Sequence, residues 1–198
     1  KSAKKGEEEK PFTGYSDSAA RVILVQPVGQ HELPLIDDEI VQIGQMTDRP
    51  FRYLAVQVEN WNRDLSPWTA PAVFGDEDFG DGAEALLEEI LPLCAEQDKD
   101  YIIGGYSLAG LFALWSACRT DVFSGAAAAS PSLWFPGFSA YMKEKGLGCE
   151  TVYLSLGTRE EKTRNPVMHT VGDCARYCFA WMKEQGVNCT LEWNPGNH

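Results

Sequence analysis

The sequence predicts an α/β fold: a doubly wound, mostly parallel sheet with helices on both faces. Three observations carry the prediction. Apolar runs rich in Val, Ile and aromatic residues recur along the chain, short and mostly unbroken, as strands buried on both faces must be. Segments between them repeat apolar residues at the 3.6-residue period of an amphipathic helix. The third run passes into a turn of small residues around one serine, and a helical apolar pattern follows at once.

Residues 1–19 form a charged N-terminal segment, expected to be flexible or peripheral, whose start reads as a mixed Lys/Glu tail rather than a signal peptide. Residues 20–198 read as a single domain. Strands are expected at 21–25, 53–58, 101–103, 125–129, 151–156 and 189–193. Between the second and third, Asp81 is placed to cap a helix with Leu86, Leu87, Ile90 and Leu91 on one face. Between the fifth and sixth, Val167, Val171, Cys174, Cys178, Phe179 and Met182 keep a helical period, with Pro166 near the start and Gly186 after the end. Only about 20 residues separate the fourth and fifth runs, so a large cap domain has no room and the site should be open.

Acidic residues outnumber basic ones 29 to 17, giving a net charge of -12, so nucleic acid is not an expected partner. No run of about 18 apolar residues exists, so no membrane span is expected. The crowded carboxylates from Asp76 to Glu89 fit a solvated loop and helix face, and their spacing matches no calcium loop. Six cysteines form no Cys-x-x-Cys pair and read as buried free thiols; Cys174 and Cys178, four apart, lack a second ligand pair. No metal or other cofactor is expected, the cytoplasm is the expected location, and the oligomeric state is left open.

The residues at 104–110 read Gly-Gly-Tyr-Ser-Leu-Ala-Gly. In a sharp strand-to-helix turn the serine needs small neighbours two positions before and after, here Gly105 and Ala109, because strand and helix approach closely. That geometry exposes Ser107 at the top of the sheet as a nucleophile. Functional loops leave the C-terminal ends of parallel strands. The fifth run is followed by Gly157-Thr-Arg-Glu160-Glu161-Lys162 and the sixth by Asn194-Pro-Gly-Asn-His198. Nucleophile, acid and base thus emerge on one edge in the order of a serine hydrolase built on such a sheet. His198 alone of the three histidines follows the last strand, whereas the acid is open among Glu160, Glu161 and Asp173.

These motifs resemble the α/β-hydrolase superfamily, and within it the esterase family that includes enterochelin esterases and S-formylglutathione hydrolases. The likeness spans roughly residues 20–198 and rests on Gly-Tyr-Ser-Leu-Ala-Gly at 105–110, Ala-Ser-Pro-Ser-Leu-Trp at 129–134, Gly-Thr-Arg-Glu at 157–160 and Gly-Asn-His at 196–198. Ala109 departs from the glycine of the strict motif. The resemblance implies a small-molecule ester as substrate, acyl transfer through Ser107, His198 as general base, and Glu160, which occupies the family's acid position, as the residue orienting it.

The oxyanion donors expected are Leu108 N–H and, from the loop after the first strand, Val28, with Gly29 next; Pro27 has no N–H to give. Two aromatic loops, one with Trp61, Trp68 and Phe74 and one with Trp134, are candidate substrate walls. Trp134 leads by following the family's Ser-Pro-Ser-Leu segment. A thioesterase or acyltransferase would use the same residues, and an inactive binding protein would keep only the fold. An anionic siderophore ester would need local help from Arg63, Arg159 or Arg164 against the acidic charge.

Overall fold

The computed structural model describes residues 12–198. All six apolar runs become strands: β2 (Val22–Val28), β3 (Phe51–Gln57), β4 (Asp100–Tyr106), β5 (Phe123–Ala129), β6 (Thr151–Gly157) and β7 (Asn188–Asn194). A seventh, β1 (Phe12–Tyr15), precedes them at the sheet edge. The order is β1-β3-β2-β4-β5-β6-β7; β1 runs antiparallel to β3, and every other pairing is parallel. β1 is not among the expected strands, because its four residues include a glycine, lie beside a charged stretch and carry no apolar run. The rest of the charged segment, residues 1–11, lies outside the described residues.

The helices are α1 (Ile36–Met46), α2 (Trp61–Asp64), α3 (Ala83–Ile90), α4 (Leu108–Arg119), α5 (Phe138–Lys145) and α6 (Val171–Glu184). Because side chains alternate across a strand, the sheet's two faces can be read from residue parity. Ile23, Val25, Leu54, Val56, Ile103, Ala126 and Leu154 join one large core with α3, α4, α5 and α6. Val28, Phe51, Tyr53 and Ala55 point the other way and form a smaller cluster with Ile36 of α1. Helix α4 is the centre of the large core: it is apolar nearly all round and buried from Leu108 to Ala117, as a helix enclosed on every side must be.

Two local expectations change. Gly82, not Asp81, precedes α3, and no side chain caps its start; Leu91 leaves the α-helix for a 3-10 turn that accommodates Pro92. Val167 likewise lies outside α6, before a 3-10 turn Met168–Thr170. No helix of the described residues is long and apolar enough to cross a membrane. All six cysteines are free. Burial pushes the Cys94 and Cys118 thiols up to about 12 and Cys178 up to about 11, so these sulfurs stay protonated and inert.

Candidate active site

The turn between β4 and α4 holds Ser107 at φ 59 and ψ -119, a conformation that costs a residue with a Cβ and persists only where its surroundings impose it. Those surroundings are visible. A Cβ on Gly105 would lie 2.4 Å from the Ala109 carbonyl carbon, so strand and helix leave no space for any side chain there. Ser107 N–H donates to the Ala129 carbonyl at 3.0 Å, and the Ser107 carbonyl accepts from Leu111 and Ser132 N–H, both at 3.1 Å. The serine backbone is therefore tied to β5, to the loop after it and to α4 at once.

The loops after β6 and β7 are stitched together next to it. Thr158 N–H donates to the Asn194 carbonyl and Arg159 N–H to the Gly196 carbonyl. Gly157 permits this approach: a Cβ there would sit 2.8 Å from Gly196 O and 2.9 Å from Asn197 O. The closure brings His198 Nε2 within 2.8 Å of Ser107 Oγ and His198 Nδ1 within 3.0 Å of Glu160 Oε2. The imidazole also stacks on Tyr106, with ring centroids 4.9 Å apart and planes at 29°.

Glu160 is buried, and burial by itself pushes its carboxyl up. Hydrogen bonds from His198, from the Ser130 hydroxyl and from Gly157 N–H, the last at 2.7 Å, outweigh that and hold it below its ordinary value. An ionised carboxylate only accepts, so Nδ1 of His198 carries the proton toward Glu160, and Nε2 of the neutral ring accepts from the Ser107 hydroxyl. The other two acid candidates are turned away. Glu161 makes paired hydrogen bonds, each 2.9 Å, to the Arg176 guanidinium, and Asp173 meets the same arginine at 3.0 Å.

Leu108 N–H is the first amide of α4, one of the helix-start donors that have no acceptor within the helix. Val28 ends β2 opposite Gln57, with its side chain buried in the smaller core and its carbonyl accepting from Val58. Gly29 N–H is already engaged by Glu32 Oε2 at 2.8 Å. In a parallel ladder the N–H and C=O of one residue face the same neighbour, so Val28 N–H points to β3 as its carbonyl does, and neither Val28 nor Gly29 holds a free amide toward Ser107 here.

A cavity of ≈ 290 Å3 opens at Ser107 and His198. Trp61 and Trp134 line it, joined by Phe74, His31, Tyr106, Ser132 and Met168. Trp68 does not: its indole N–H donates to the Pro136 carbonyl at 2.9 Å and its ring packs on Phe135 and Tyr141. Nothing local in the sequence singles out Met168 or His31, which reach the cavity only through the fold; Tyr106 and Ser132 lay unremarked inside the quoted motifs. A separate groove of ≈ 220 Å3 beside α1, lined by Glu39, Gly104, Ala127 and Tyr153, shares Tyr106 with the cavity but touches neither Ser107 nor His198. Arg63, one of the cations considered for an anionic substrate, pairs with Asp64 at 2.7 Å.

No protein-family model matches the sequence, and no curated protein matches it. Solved structures do match. Siderophore hydrolase EstA from Aspergillus nidulans is 17% identical over 97% of this chain and 85% of its own, with a TM-score of 0.66. Acyl-protein thioesterase 2 from Zea mays is 15% identical, covering 96% and 92%, at 0.58. A monoacylglycerol lipase from Paleococcus ferrophilus is 16% identical, covering 96% and 90%, also at 0.58. Likeness at such identities speaks to architecture, and with the parallel sheet, the strained serine turn and the strand order it leads to one conclusion: this chain has the α/β-hydrolase fold.

Proposed function

We propose that this protein is a serine esterase that hydrolyses a small carboxylic ester through an acyl-enzyme on Ser107. The observation that carries the reading is the contact chain from Ser107 Oγ through His198 to Glu160, 2.8 and 3.0 Å long, beginning at a serine strained to φ 59. In the first step Ser107 Oγ bonds to the ester carbonyl carbon as its proton passes to His198 Nε2. The tetrahedral oxyanion is met by Leu108 N–H at the start of α4. The C–O bond to the alcohol then breaks, and Nε2 returns its proton to the leaving oxygen. In the second step water attacks the acyl group, giving its proton to Nε2, and the acid leaves as Ser107 recovers its own.

Glu160 fixes the ring and stabilises the imidazolium that forms in each step. Its own hydrogen bonds keep it ionised, which is what that role requires. The names of the three structural relatives, a siderophore hydrolase, a thioesterase and a lipase, are compatible with acyl transfer on this fold. The test is hydrolysis of p-nitrophenyl esters of graded chain length by the protein and by Ser107→Ala. We expect turnover that falls by a factor of about 10⁴ or more in the variant. Equal rates would refute the proposal.

A further inference from the structure

We infer that the acyl part of the substrate carries one uncharged aromatic ring, an inference that rests on the esterase reading. The leaving alcohol must depart beside His198 Nε2, which protonates it, and the His198 side chain is 37% exposed at the rim. The alcohol side therefore opens to solvent, and the acyl group, which stays bonded to Ser107, lies against the cavity wall. That wall is braced to the nucleophile: Trp134 stands two residues past Ser132, whose N–H donates to the Ser107 carbonyl.

The wall is aromatic and sulfur-bearing. Phe74 stands edge-on to Trp134 at 90° with centroids 6.2 Å apart, and Trp61, at the start of α2, and the Met168 thioether line the same cavity. Ring edges and faces attract a guest ring beyond what apolar area provides, and a thioether adds to this. A volume of ≈ 290 Å3 holds one ring and a short arm, at the small end of ligand sites.

Charge narrows the class further. No Lys or Arg is among the described residues lining this cavity, and the chain's net charge is -12, so an anionic acyl group meets no counter-ion. A cationic acyl group would share the cavity with two imidazoles, His31 and His198, the second of which becomes positive during reaction. An uncharged ring suits both limits.

The experiment compares methyl 3-phenylpropanoate with methyl 3-cyclohexylpropanoate, whose carbonyls are equally reactive, and with the 4-carboxyphenyl analogue, with p-nitrophenyl acetate as the general esterase control. We expect kcat/KM for the phenyl ester to exceed that for the cyclohexyl ester about fivefold or more, and the carboxylated ester to lose about tenfold. In Phe74→Leu, an exposed position whose folding is checked by circular dichroism, the phenyl-to-cyclohexyl ratio should fall toward one. A cyclohexyl ester turned over as well as the phenyl ester, a preference for the carboxylated one, or an unchanged ratio in the variant overturns the inference. Hydrolysis of p-nitrophenyl acetate without hydrolysis of either methyl ester overturns it while sparing the esterase reading. Failure on all four substrates removes both.

Discussion

The turn that carries Ser107 and the two loops that carry Glu160 and His198 meet on one sheet edge, yet different forces hold them. Around the serine the constraint is steric and buried: Gly105 and Ala109 are in contact, and α4 runs through the core. Around Glu160 and His198 it is polar and partly open, a set of hydrogen bonds between two loops with the imidazole at the rim. Ser107 is thus positioned by the core and His198 by a few contacts. Damage to the first should unfold the protein; damage to the second should leave it folded and slow.

Gly105→Val tests the steric side and should have the largest effect. Overpacking against the Ala109 backbone costs about 3 kcal/mol or more, read as a lower thermal midpoint together with lost activity. Glu160→Gln tests the polar side: turnover should fall about 10²- to 10⁴-fold at neutral pH with the fold retained by circular dichroism. It also predicts a pH dependence. The Glu160 carboxyl is held below its ordinary value when folded, so its stabilisation is full above that ordinary value and disappears as pH falls through the lowered one. Wild type should therefore lose stability relative to Glu160→Gln on acidification through that range, measured by denaturant midpoints. Parallel curves would contradict it.

Gly157→Ala comes next. Its methyl would press on Gly196 and Asn197, shifting the His198 loop, and about a 10- to 100-fold loss of kcat is expected with little change in thermal midpoint. Glu161→Gln should do least, altering kcat less than about threefold and stability by at most about 1 kcal/mol, because its partner is the partly exposed Arg176. Neighbouring carboxylates would then differ in kinetic effect by orders of magnitude, according to which side of the 3-10 turn Glu160–Lys162 they occupy.

The same contrast explains what the sequence made legible. The strands and the serine turn follow from local rules, since apolar runs and small residues around Ser107 act on their immediate neighbours. That Glu160, rather than Glu161 or Asp173, meets His198 does not follow from spacing: Arg176, 15 residues from Glu161, claims the other two carboxylates. Trp61 and Trp68 looked alike in an aromatic loop, and only the approach of Pro136 and Tyr141 decides that Trp68 packs away from the cavity. Strand β1 lacked an apolar run because an edge strand is held by backbone pairing to β3. Met168 and His31 reach the cavity through long-range packing that leaves no local pattern.

The central claim is that Ser107 becomes covalently acylated. Rapid mixing of the protein with p-nitrophenyl acetate, followed by acid quenching and peptide mass spectrometry, tests it most directly. The account predicts a burst of nitrophenol and an acetyl group on the peptide containing Ser107, both absent in Ser107→Ala. Acetylation confined to another residue, or a burst that persists in the variant, would contradict it.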